Sequence, residues 1–128
     1  MLVNEKILEV SGKRSAKVEI KGLNINIAIE DVAQVGQELE ITYSYHATYE
    51  DKAGELKLKG VLVAKEEEKL TKEIMERWKK EKKLPDAYAE PLLGAINYSG
   101  SANGTLVARV LGLTAPLIPP RIQLGNKK

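Results

Sequence analysis

His46 is the single histidine of this 128-residue chain, and there is no cysteine. The absence of cysteine excludes disulfides, thiolate zinc sites and thiol nucleophiles. A general base built on His46 needs a nucleophile and an orienting acid, and nothing near it has the Gly-x-Ser-x-Gly form or an equivalent. A metal site using this histidine needs carboxylates at ligand spacing, which the sequence does not supply. The acidic run Glu66–Glu68 reads as the start of a helix, where negative charge suits the macrodipole, and not as paired catalytic carboxylates. The stretch from Gly100 to Gly104 lacks the strand–turn–helix context and the Lys-Ser/Thr ending of a phosphate-cradling loop. No catalytic residue, metal or cofactor is therefore expected, and the chain is read as a non-enzyme.

What remains is a set of residues suited to adhesion. Phenylalanine is absent, so five tyrosines and one tryptophan carry all the aromatic packing. Tyr43, Tyr45 and Tyr49 share one parity of an alternating run. A tyrosine offers apolar area together with a hydroxyl that can hydrogen-bond a main chain. Two readings follow for the three: packing in the core or a subunit interface, or contact with an extended polypeptide. Trp78 has the same two readings, as a packing anchor or as the edge of a groove. The segment Leu111–Ile122 adds a third element. Pro116, Pro119 and Pro120 forbid helix and remove donors, so it must run extended. Leu117, Ile118 and Ile122 make it too apolar for a solvated tail. It has to lie on its own sheet, a sister subunit or a partner.

The elements that position these residues are legible in outline. Leu23, Ile25, Ile27 and Ile29 alternate with small or polar residues, as in a half-buried strand. Val18 and Ile20 fall on the opposite parity, predicting a bulge near Gly22. Asp31 to Gln37 reads as a turn. Leu39, Ile41, Tyr43, Tyr45, Ala47 and Tyr49 form a second alternating run, and Glu50–Gly54 a hairpin connection to Leu56, Leu58 and Leu62. A further strand is read around Ile7 to Val10. The sum is an antiparallel sheet of about four strands with one apolar face. Glu66 to Lys83 is helical, with acids at its start and Lys79, Lys80, Lys82 and Lys83 at its end. Its apolar stripe is Leu70, Ile74 and Trp78. Beyond Pro85, the residues Leu92, Leu93, Ile96, Leu106, Val107, Val110 and Leu111 fit one helical face. Residues 98–104, with two glycines, fit either a loop between two helices or the narrow waist of one.

Composition bounds the rest. A chain of this length forms one domain, residues 1–128, able to bury roughly two-thirds of its unfolded surface. A formal charge of +2 is too balanced to argue for nucleic acid, and no stretch is long and apolar enough for a membrane span. No secretory leader is visible, so a cytoplasmic location is expected. Charged residues at 30% with few thermolabile side chains match the trend of thermophile proteins.

Taken together, Ser11–Arg14, Leu23–Ile27, Leu39–Tyr45, Gly54–Gly60, the helix end at Trp78 to Leu84-Pro85, and Leu111-Gly-Leu leading to Pro119-Pro-Arg-Ile122 resemble the SecB-like proteins. More narrowly they resemble the archaeal relatives of the protein-export chaperone SecB. The resemblance spans roughly the whole chain. It implies an α+β fold of a four-stranded antiparallel sheet, two helices and an extended proline-containing end. It also implies a homo-oligomer, a tetramer built as a dimer of dimers, that holds unfolded polypeptide clients in surface grooves without nucleotide or chemistry. Tyr43, Tyr45, Tyr49, Trp78, Leu117, Ile118 and Ile122 are the client-contact candidates. Bacterial SecB is strongly acidic, whereas this chain is slightly basic and ends Gly-Asn-Lys-Lys, so hand-over to an export motor is not carried across. A dedicated-partner adaptor on the same fold, a small-molecule binder, and RNA binding through the lysine-rich helix end are the alternatives.

Overall fold

The computed structural model describes residues 1–15 and 22–116. Its elements run β1 (Leu2–Arg14), β2 (Leu23–Val35), β3 (Glu38–Tyr49), a 3₁₀ turn (Glu50–Lys52), β4 (Gly54–Lys65), α1 (Glu68–Glu81) and α2 (Asp86–Leu111). All four strands form one antiparallel sheet in the order β1-β4-β3-β2. The α+β fold of one sheet and two helices expected from the sequence is therefore present.

The alternation in β3 becomes burial with period two. Leu39, Ile41, Tyr43, Tyr45, Ala47 and Tyr49 all lie inside, and β4 presents Leu56, Leu58, Leu62 and Ala64 beside them. The connection between these strands is tight: Asp51 and Lys52 both take left-handed backbone, at φ 59° and 57°. At the other end of β3 the link is equally short. Strand β2 runs on to Val35, and the whole turn is Gly36–Gln37, with Gly36 at φ 64°. The broad turn expected over Asp31–Gln37 is thus mostly strand. A register shift between Ile29 and Asp31 explains the error, because it moves the inward position from odd to even numbers and buries Val32. The bulge expected near Gly22 rested on Val18 and Ile20, which lie outside the described residues.

Strand β1 is far longer than the Ile7–Val10 segment. It pairs with β4 from Leu2↔Ala64 to Arg14↔Gly54, with shifts after Leu2 and after Ile7. Those shifts scramble the alternation. As an edge strand it remains open: Leu2, Val3, Ile7, Leu8 and Val10 are all exposed.

Both helices cover the apolar face, α1 over β2 and α2 over β1, β4 and β3. Helix α1 buries Thr71, Ile74 and Trp78 and ends at Lys82 in left-handed backbone, whose N–H donates to the Trp78 carbonyl at 2.9 Å. Leu84 and Pro85 are buried at the corner. Helix α2 is continuous through residues 98–104, so the waist is one helix and not a loop. Its buried side is Leu92, Ile96, Asn97, Ser99, Gly100, Ser101, Gly104 and Ala108. Leu106 and Val110 do not share that side, contrary to the single apolar face expected; they are 64% and 85% exposed.

Candidate functional site: the tyrosine face beneath α2

Three tyrosines two or four residues apart on β3 project from the sheet toward α2. None is more than 1% exposed, so they belong to the core of their own chain. In this structure they present no surface to a client; reaching them requires moving α2 or the segment that follows it.

Two of them, Tyr43 and Tyr45, are accommodated by a glycine. Tyr43 stands directly opposite Gly60 on β4, and a Cβ at Gly60 would lie 2.7 Å from the tyrosine oxygen. Through that gap the Tyr43 hydroxyl passes over β4 and donates to Glu5 Oε2 on β1 at 2.6 Å. Ser99 of α2 donates to the same oxygen at 2.7 Å, and Asn103 Nδ2 donates to the Ser99 carbonyl at 2.9 Å. One carboxylate thereby ties β1, β3 and α2 together. Tyr45 lies flat beneath Gly100, where a Cβ would come 2.2 Å from ring atom Cδ2. No side chain fits there. The close approach of helix to sheet is the reason for the glycine, although it costs roughly 1 kcal/mol of helix propensity against alanine.

The other two hydroxyls reach the chain beyond α2. Gly112 turns out of the helix at φ 69°, the Leu113 N–H donates to the Ala108 carbonyl at 2.9 Å, and Arg14 Nη1 donates to the carbonyls of Leu111 and Gly112 at 3.3 and 2.5 Å. Residues 113–116 then lie on the tyrosine face. Tyr49 donates to the Thr114 carbonyl, and Tyr45 to the Pro116 carbonyl at a long 3.4 Å. Burial pushes the pKa of Tyr43, Tyr45 and Tyr49 above the ordinary tyrosine value, with Glu5 adding to the effect at Tyr43. All three remain protonated donors at neutral pH.

Trp78 is placed apart from these hydroxyls, on α1. It is 6% exposed within the same core, and Lys82 Nζ stands 5.6 Å from its ring centre. Leu117, Ile118 and Ile122 lie outside the described residues. Glu5, Gly60 and Ser99 were not singled out from sequence as partners of the tyrosines. One signal was available: Gly60 falls on the inward parity of β4, where a large tyrosine opposite fills the space a side chain would take.

His46 is on the outer face of the sheet, as its parity requires. Its Nε2 is 2.9 Å from Glu55 Oε1, and Lys13 Nζ is 3.2 Å from Glu55 Oε2. The His46 hydrogen bond, and then Lys13, hold the Glu55 carboxyl below its usual pKa. Among the described residues no group of three His, Asp or Glu side chains stands together to hold a metal. A hollow of about 850 Å³ lies at the start of α1 between Gln34, Gly36, Glu66 and Lys72; His46 does not line it.

Among the described residues, two runs of apolar side chains are exposed. One is the edge strand β1. The other is a ridge along α2 at i, i+4 spacing, formed by Tyr98, Ala102, Leu106 and Val110.

No family model and no curated protein matches the chain. Among solved structures, the fold is similar to a SecB-like chaperone of Mycobacterium tuberculosis in complex with a ChAD peptide from the HigA1 antitoxin. The TM-score is 0.65 at 9% identity, over 93% of this chain and 85% of that one. This chain has a SecB-like fold.

Proposed function

We propose that the protein is a non-enzymatic chaperone that holds unfolded or non-native polypeptide on apolar surface, assembled as a homo-oligomer built as a dimer of dimers. The observation that carries this reading is the fold, which is similar to that of a solved SecB-like chaperone with a peptide bound. The segments that resemble archaeal SecB-like proteins point to that branch. A cytoplasmic setting accords with the lack of cysteine, and no helix among the described residues is long and apolar enough to cross a membrane.

Two physical features support the reading. An unfolded client loses chain entropy on binding, so affinity must be summed from several weak apolar contacts, and micromolar binding per segment allows release. Two runs of apolar side chains also stand uncovered by the described residues of one chain. On α2 the ridge Gly94, Tyr98, Ala102, Leu106 and Val110 is nearly self-complementary when run antiparallel. Ala102 then faces Ala102, Tyr98 faces Leu106, and Gly94 faces Val110, so that bulk meets space. The free edge of β1 is the second such surface.

The test is fluorescence anisotropy of labelled, reduced and carboxymethylated α-lactalbumin titrated with the protein, with native α-lactalbumin as control. Saturable micromolar binding to the unfolded form alone is expected. No binding at tens of micromolar, in a sample of oligomeric mass, removes the general chaperone. The second reading is an adaptor for one dedicated protein. It is favoured by the bound peptide of the solved counterpart, which comes from a single antitoxin. Comparable affinity for several unrelated unfolded proteins would count against it.

A further inference from the structure

We infer that the channel filled by Leu113–Pro116 is a seat for an extended apolar polypeptide, occupied in cis by the chain's own residues until a client displaces them. This rests on the polypeptide-binding reading and gives it a location.

The contacts in the channel are of the kind that ignore sequence. Two tyrosine hydroxyls grip main-chain carbonyls of residues 114 and 116, two positions apart, the repeat at which carbonyls of an extended strand point the same way. The side chains occupy space made by missing ones. A Cβ at Gly54 would stand 3.1 Å from Leu113, and one at Gly104 would stand 2.9 Å from Pro116 Cγ. Leu113 and Pro116 are both buried, Ala115 is half-buried, and Thr114 faces outward. The hydrogen bonds that hold this segment in the channel go to its main chain and none to its side chains. Any segment with an aliphatic residue and, three positions later, a proline or another compact apolar residue meets the same requirements. The entrance is fixed and not sliding, because Arg14 and the left-handed Gly112 anchor the point where the strap leaves α2. Of the two tyrosine bonds, the long one from Tyr45 to Pro116, farther from that anchor, is the weaker.

The absence of cysteine permits a clean lock. In the full chain carrying Gly104→Cys and Pro116→Cys, a Cβ at 104 falls close enough to the strap for a disulfide, which needs Cβ atoms about 3.8 Å apart. The probe is the same carboxymethylated α-lactalbumin. The oxidised protein should bind it at least ten-fold more weakly than the same protein after reduction, and mass spectrometry confirms closure. A second variant, Leu113→Ser with Pro116→Ser, loosens the strap and should bind several-fold more tightly than wild type. Equal affinity of oxidised and reduced forms, with wild type also binding, would overturn the proposal and leave the chaperone reading intact. A pair that fails to oxidise would show that the strap is not seated against Gly104 and would also overturn it. Absence of binding in every form, wild type included, would remove both.

Discussion

On the face of α2 turned to the sheet stand Ser99, Gly100, Gly104 and Ala108; on the face turned away stand Tyr98, Leu106 and Val110. From residue 98 to 110 of this helix these small residues are buried and the large apolar Tyr98, Leu106 and Val110 are exposed. That is the reverse of what burial alone rewards, and of the buried Ile96 and Leu92 one and two turns earlier. The difference lies in what each face meets. Inside, the sheet supplies the bulk: Tyr43, Tyr45 and Tyr49 fill the gap, and the helix must be thin to lie on them. Outside, none of the described residues covers the ridge. Leaving each of its large residues in water forgoes about 1.5–3 kcal/mol of burial. Helix position is thus set by tyrosines from another element, while the ridge is surplus to the fold of one chain.

Alkaline titration should strain this comparison most. Burial raises the pKa of Tyr43, Tyr45, Tyr49 and Tyr88 above the ordinary value of 10.0. Below pH 10 their contribution is fully present. As pH rises further, unfolded tyrosines release protons that folded ones keep, so stability falls toward the folded values. Each such tyrosine contributes up to about 1.4 kcal/mol per pH unit in that window. Denaturant melts at stepped pH should follow this fall, with tyrosinate absorbance appearing together with unfolding. Tyrosinate that appears well before unfolding would mean the hydroxyls are reached by solvent.

Next in size is a pair of glycine substitutions within the one helix. Gly100→Ala gains about 1 kcal/mol of helix propensity but drives a methyl into the Tyr45 ring, so a net loss of about 2 kcal/mol or more is expected. Gly94→Ala meets nothing within 4 Å and should stabilise by up to about 1 kcal/mol. Urea midpoints that moved in the same direction would refute the packing argument.

On the outer face, Leu106→Ser with Val110→Ser should change the stability of the single chain by no more than about 0.5 kcal/mol each. The proposed assembly, by contrast, should lose mass in sedimentation at fixed concentration. An unchanged mass would take the ridge out of the assembly. The smallest effect belongs to Glu55. Its lowered pKa means stability present above the usual carboxylate range and lost as pH falls through the folded value. The side chain is 38% exposed, so the consequence shows only in an NMR titration. His46→Ala should move that midpoint up toward 4.5.

The inner elements were legible because their signals are local. The β3 alternation, the 50–53 connection and the α1 stripe each follow from spacing along a few residues. Three features were not legible in the same way. Register shifts in β1 and β2 reset the parity on which a strand is recognised. Gly100 and Gly104 fit a loop or a helix in close approach equally well until Tyr45 and Pro116 are known to lie against them. The Glu5–Tyr43–Ser99 junction joins residues from three elements, and no spacing along the chain announces it. Among the candidate contacts, the tyrosines were correctly grouped on one face. That face is closed, however, because α2 and residues 113–116 both lie on it.

The strand order has a consequence in time. Strand β1 precedes β2, β3 and β4 in the chain, yet its hydrogen-bonding partner is the last of them. The meander of β2, β3 and β4 closes through short turns, whereas β1 must close a loop around the whole meander, at a larger entropic cost. Its first residue, Leu2, pairs with Ala64, so a growing chain must emerge almost to the end of β4 before that register is available. Until then β4 carries a bare edge, and the tyrosine-to-Glu5 junction cannot form. Until β1 docks, the meander is a three-stranded sheet with an unpaired β4 edge open to misassociation, the same hazard the protein is proposed to suppress in other chains.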